Sequence, residues 1–235
     1  MNRHSAMVGA RIGMLMAALL SVGMTAGCAQ TPTTLKDAYR GQFHVGVAIN
    51  RTIATGTAVR ADNVNRTLEE VLQDAALVKA QFNQIAPEND LKWALVHPRP
   101  GPDGYDFAPA DAFVKFGLDN HMLLVGHTLV WHAQTPNWVF QGSGPAPAPA
   151  AEDASAPRAG RRGRGGITGP LATRDELLQR MRDHIHTVVG RYKGKVKVWD
   201  VVNEALADGG TAVLRNPYWR QIIGDDFMAK PFETA

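Results

Sequence analysis

The chain has one cysteine in 235 residues. A single cysteine excludes an intrachain disulfide framework and any multi-cysteine zinc or iron–sulfur site. Aromatic residues make up 7% and charged residues 20%, against 45% hydrophobic. That balance is globular and excludes collagen, coiled coil and wholesale disorder. An excess of charge of one sign is also missing. The net charge is +3, but residues 1–28 hold Arg3 and Arg11 without an acid, and residues 151–166 hold four arginines against Glu152 and Asp153. The remainder is near neutral, so the basic balance does not argue for a nucleic-acid partner, and none is expected. The length is slightly short of the roughly 250 residues of a complete eight-stranded α/β barrel.

The N-terminus reads as an address. Arg3 and Arg11 precede an uncharged apolar run over residues 12–27, shorter than the roughly 20 residues that span a bilayer core. A basic flank, a short apolar run and small residues at its end are the pattern of an export signal. Thr25-Ala26-Gly27 stands directly before Cys28. This resembles a bacterial lipobox, whose cysteine is lipidated. The alternative is an ordinary cleaved signal in which Cys28 is incidental. The expected location is periplasmic, outer-membrane lipoprotein or secreted, with membrane contact only through that anchor. Residues 29–40 read as a polar tether.

Downstream, strands are expected at 43–49, 82–86, 122–127 and 196–202. Between them, helices are expected from Asn63 or Asn65 through Val78, from 110 to 120, and from the capping-box signature Thr173-Arg-Asp-Glu176 to about Gly194. Trp219 to the end reads as helical, interrupted at Pro231. Residues 142–168, rich in Pro-Ala and Arg-Gly, lack large apolar anchors and read as a disordered insertion. Alternating strands and helices imply a parallel sheet. Four strands mean either a small doubly wound sheet or the first half of a barrel.

In such folds chemistry sits at the carboxyl ends of the strands. There the sequence places Glu88, Asn89, Lys92 and Trp93, then His127, Trp131, His132 and Gln134, then Asn203 and Glu204. Tryptophans beside carboxylate, amide, imidazole and ammonium groups suit a sugar, whose C–H faces stack on aromatic rings and whose hydroxyls take hydrogen bonds. Glu204, after an apolar strand, is the candidate proton donor to a leaving oxygen, with partial burial expected to favour its acid form. His127 and His132, five apart on an extended segment, are not a metal pair, and neither metal nor cofactor is expected. His184 and His186 read as structural or solvated.

Three segments, Phe82-Asn-Gln-Ile-Ala-Pro-Glu-Asn-Asp-Leu-Lys-Trp93, Gly126-His-Thr-Leu-Val-Trp-His132 and Val198-Trp-Asp-Val-Val-Asn-Glu-Ala205, resemble glycoside hydrolase family 10, the endo-1,4-β-xylanases. Related barrel glycosidases acting on cellulose or mannan share the Asn-Glu pair. The resemblance implies a (β/α)8 barrel of which this chain holds about the first four βα units, with residues 41–235 as part of the catalytic domain. It implies a retaining mechanism with Glu204 as acid/base and Asn203 on the 2-hydroxyl of the sugar being cleaved. Lys92, His127 and Trp131 would line the glycone subsite, with Glu88, Asn89 and Gln134 as hydrogen-bonding partners and His132 beside them. The family's nucleophile, a second glutamate near the end of the seventh strand, has no counterpart here, and Glu233 is misplaced for it. The chain is thus expected to be an incomplete hydrolase of xylan, a non-catalytic binder of xylo-oligosaccharide, or a related barrel glycosidase acting on cellulose or mannan.

Overall fold

The computed structural model describes residues 34–58, 66–143, 167, 169–210 and 213–235. The expectations for residues 1–33, Cys28 among them, for Asn63 and Asn65, and for most of the 142–168 insertion lie outside these.

Four parallel strands form one sheet in the order β1-β2-β3-β4. They are β1 (Gly46–Ile49), β2 (Gln84–Pro87), β3 (Leu123–Trp131) and β4 (Val198–Asn203). Each crossover carries helix, as parallel neighbours require. The helices are α1 (Leu35–Ala38), α2 (Arg51–Thr55), α3 (Leu68–Gln81), α4 (Trp93–Val96), α5 (Ala108–Asp119), α6 (Arg174–Arg191), α7 (Tyr218–Ile223) and α8 (Ala229–Thr234). Pairing is in sequence order throughout, the arrangement of consecutive βα units in a barrel.

Several boundaries differ from the sequence reading for identifiable reasons. Residues 34–38 are not tether. Thr34 caps α1, whose Leu35 amide donates to Gln81 Oε1 at 2.9 Å and whose Lys36 ammonium donates to the Lys79 carbonyl at 2.6 Å. These contacts close the C-terminal end of α3, where the last carbonyls lack helical donors. Helix α3 starts at a Thr67/Glu70 capping box. Val71, Ala75 and Val78 face inward, whereas Leu68 and Leu72 stay about half exposed. Leu72 stands about 100° round the helix from Val71, outside a stripe that faces the sheet alone. Strand β1 begins at Gly46, three residues later than expected, and Phe43 is exposed.

Strand β3 runs to Trp131, four residues beyond its apolar core. Its register against β4 shifts between His127 and Val130, so His127 lies within the strand rather than after it. Pro231 does not break a long helix. It is the third residue of α8, after a 3-10 turn at Asp225–Met228, where the amide it lacks has no intrahelical acceptor.

The core lies between sheet and helices. Ile49, Ile85 and Leu124 from the sheet meet Phe113 from α5, and Leu177, Met181, Ile185 and Val188 line the buried side of α6. Two glycines set the packing distance. A Cβ on Gly117 of α5 would lie 2.1 Å from Leu124 Cδ2, and one on Gly126 of β3 would lie 2.2 Å from Trp199 Cε3.

Candidate active site

The carboxyl ends of β2, β3 and β4 bring most of the expected residues to one rim. Register fixes this: Trp131 is paired with Asn203, so the residues that follow β3 and β4 leave the sheet side by side. Trp131 Nε1 donates to Glu204 Oε2 at 2.9 Å, and His132 Nε2 lies 3.8 Å from the same oxygen. On the β2 side, Asn89 Oδ1 accepts from Lys92 Nζ at 3.0 Å and from Gln134 Nε2 at 3.1 Å. Lys92 Nζ stands 4.6 Å from the Trp131 ring centroid, a cation–π contact. One continuous chain of contacts therefore runs Gln134–Asn89–Lys92–Trp131–Glu204 across three strand ends.

Local structure holds these groups. Lys92 precedes α4, and the amide of Ala94 donates to the Gln134 carbonyl at 2.8 Å, tying the loops after β2 and β3 together. Asp90, nearly buried, takes both Nε and Nη2 of Arg51. The Trp131 carbonyl accepts from Thr135 Oγ1 and from Trp219 Nε1 of α7. Glu88 is exposed and Asn203 half-buried. Gln134 and Glu204 are non-glycine residues with φ of 45° and 52°, a left-handed conformation costing about 1–2 kcal/mol. Each turns the chain sharply as it leaves a strand.

The electrostatics follow from burial. Lys92, only 8% exposed, has its ammonium pushed below the ordinary lysine range by desolvation, opposed by the negative charges of Glu88 and Glu204. His127 lies apart from the Glu204 contact. Its Nδ1 meets Asp200 Oδ2 at 2.9 Å, and the neighbouring Thr128 hydroxyl donates to the Asp200 carbonyl. The two histidines thus address different carboxylates.

The Glu204 side chain is 50% exposed. Trp93 is not a sugar platform. It is 2% exposed and stacks on His184 with centroids 3.7 Å apart. The Asp200 partner of His127 was missed, although the β3–β4 register makes the pair inevitable once both strands are placed. Glu233 lies on α8, paired with Lys230 at 2.7 Å. A cleft of about 370 Å³ opens elsewhere, between α6 and the loop at His97–Tyr105, and touches none of these residues. The crevice behind Glu204, closed by Trp219 and Phe227, is only about 10 Å³. Among the described residues no cluster of His, Cys, Asp or Glu is arranged to hold a metal ion.

A parallel α/β sheet with a carboxylate, an ammonium, amides, imidazoles and an indole along its carboxyl rim is the layout of a saccharide-processing barrel enzyme. The sequence matches glycosyl hydrolase family 10 over residues 34–235, and the chain belongs to that family. It is 36% identical over 202 residues to a beta-1,4-xylanase of Dictyoglomus thermophilum, covering 86% of this chain and 44% of that protein. It is 37% identical over 208 residues to an endo-1,4-beta-xylanase of Geobacillus stearothermophilus, covering 88% and 49%. Among solved structures it superposes on an endoxylanase of this family from a sugarcane soil metagenome with a TM-score of 0.64 at 34% identity, covering 86% of this chain and 47% of that one. It also superposes on an intracellular xylanase of Thermoanaerobacterium saccharolyticum, a mutant in complex with xylotetraose, with a TM-score of 0.62 at 33% identity, covering 86% and 52%. The chain spans half or less of the length of the curated relatives it matches, 44% and 49% for the xylanases of Dictyoglomus thermophilum and Geobacillus stearothermophilus. The family fold is a (β/α)8 barrel, and the four parallel strands are four βα units of it.

Proposed function

We propose that this protein is the acid/base-bearing part of a retaining endo-1,4-β-xylanase (EC 3.2.1.8) acting on internal bonds of xylan. The observation that supports the reading most directly is the Trp131–Glu204 hydrogen bond at the end of the Gln134–Asn89–Lys92 chain. It puts an anchored, solvent-facing carboxyl beside groups suited to sugar hydroxyls. In this reading Glu204 protonates the leaving oxygen while a second glutamate attacks the anomeric carbon. Glu204, now a carboxylate, then takes a proton from the water that releases the covalent glycosyl-enzyme. Asn203 binds the 2-hydroxyl, Lys92, His127 and Trp131 the glycone, and Glu88, Asn89, His132 and Gln134 that sugar and the next. Two carboxyls and water complete this chemistry, so it calls for no metal or cofactor.

Retention needs the second carboxyl about 5–5.5 Å from the first, and the resemblance assigns it to a seventh strand. We therefore infer that the 235 residues alone bind xylo-oligosaccharide without cleaving xylan. Export, with or without lipidation at Cys28, belongs to the same reading, supported by the basic flank and short apolar run before Cys28.

The test joins residues 34–235 to the second half of a family relative. Glu204→Ala in that barrel should lower xylan turnover by about 10²–10⁴-fold, the usual contribution of a positioned acid. It should spare the first step on an aryl xyloside whose leaving group needs no proton. Unchanged xylan turnover would refute the assignment. Reducing sugar released from xylan by the unjoined chain would refute the second inference.

A further inference from the structure

The loop after β4 begins at the acid candidate, Glu204, and folds back towards it. Leu206 and Leu214 form an antiparallel bridge, the Ala207 amide donates to the Val213 carbonyl at 3.1 Å, and the Arg215 amide donates to the Ala205 carbonyl at 2.9 Å. This pairing carries the Arg215 side chain back across the loop. Its Nη1 and Nη2 donate to Asp208 Oδ2 and Oδ1 at 2.8 and 2.6 Å, a bidentate fork. The fork fixes the guanidinium plane, and Nε reaches the Glu204 carbonyl at 3.1 Å. Arg215 is only 23% exposed, although Asp208 is 84% exposed.

Glu204 needs such a tether. Its φ of 52° lies in the left-handed region, which a residue with a Cβ leaves unless its surroundings hold it. If the backbone relaxed to negative φ, the Cα–Cβ direction would swing and the carboxyl would leave Trp131 Nε1. Two contacts grip the residue: Trp131 holds the carboxyl and Arg215 holds the backbone carbonyl. Lysine cannot reproduce this arrangement, because it lacks both the fork and the Nε donor.

We propose that Arg215, oriented by Asp208, is a positioning residue that holds Glu204 in the conformation aiming its carboxyl at the strand-end rim. The catalytic consequence rests on reading Glu204 as the acid/base, whereas the geometric claim stands without it.

The test uses the 235-residue chain with 15N-labelled tryptophan. The Trp131 indole resonance is assigned by its loss in Trp131→Phe. Glu204→Ala must displace that resonance, because it removes the acceptor; an unmoved signal would overturn the proposal. Arg215→Ala should displace it in the same direction and speed its solvent exchange by about fivefold or more, as expected for loss of one hydrogen bond. Arg215→Lys should recover only part of the signal. Asp208→Asn, which keeps the arginine but weakens the fork, should fall between Arg215→Ala and wild type. If Arg215 merely ties the loop, Arg215→Ala will move the amides of residues 205–208 and leave the Trp131 indole unchanged, which overturns the proposal. Should Arg215→Ala fail to fold, Asp208→Asn carries the test alone, and an unmoved indole in that variant overturns it. Failure of the acid/base reading is read separately, from xylan turnover by Glu204→Ala in the joined barrel.

Discussion

Gly126 shows how single atoms constrain the rim. Its missing side chain is the space into which the Trp199 ring packs, with three ring atoms within 2.7 Å of where a Cβ would stand. Gly126→Ala should therefore destabilise the fold by about 1–3 kcal/mol, the usual cost of overpacking, read as a fall in urea midpoint at unchanged slope. A neutral result would mean that Trp199 has another position available. At this scale the sequence was informative about identity and poor about environment. Lys92, Trp131 and Glu204 stood out by residue type and position. The apolar strand before Glu204 suggested partial burial, but how much of the side chain stays exposed depends on what lies across the rim. Trp93 was grouped with Trp131 because both follow strands. Only packing distinguishes them: one ring carries Lys92 over it at the rim, and the other is clamped against His184.

Among the elements, α6 is the most completely specified. Its Thr173/Glu176 capping box forms as the spacing required. Glu176 also accepts from the Ser143 hydroxyl, and these hydrogen bonds, Ser143 first, hold its carboxyl at about 2. Thr173→Ala should cost about 1 kcal/mol, measured as a lower melting temperature that Thr173→Ser does not reproduce. The buried face of α6 carries His184, 0% exposed, with neither ring nitrogen hydrogen-bonded. Burial pushes its imidazole well below the ordinary histidine value, with a smaller contribution from His97, itself lowered by burial. The fold therefore keeps both rings neutral, whereas an unfolded chain takes up protons below about pH 6.5. Their contribution is fully present above that pH and is lost as pH falls from there towards the folded values. The slope is at most about 1.4 kcal/mol per unit for each ring. His184→Phe should flatten the decline in urea stability between about pH 7.5 and pH 5.5. Equal slopes for variant and wild type would contradict the assignment.

Among the described residues the sheet is open. Among these residues β1 bonds only to β2, and β4 only to β3, so both outer strands present unpaired backbone groups. Val198 on β4 and Phe43 beside β1 are about half exposed, and Leu206, Val213 and Phe232 more so. Expressed alone, residues 34–235 should self-associate with rising concentration, visible by sedimentation velocity. A single monomeric species over a hundredfold concentration range would rule this out.

Much of this was settled by the sequence itself. The order of the four strands, the helices α3, α5 and α6 between them, the capping box at α6, and the motifs at the ends of β2, β3 and β4 depend on local backbone chemistry and on residue type. These are legible along the chain, and they lead to the family. The tertiary structure decided what depends on register and on contacts between distant residues. It continued β3 through His127 to Trp131 and paired His127 with Asp200 across 73 positions. It seated Pro231 at a helix start rather than inside one, and it brought Arg215 back to the Glu204 carbonyl. Each of these follows from where a second segment lies in space, and a pattern of neighbouring residues does not encode that.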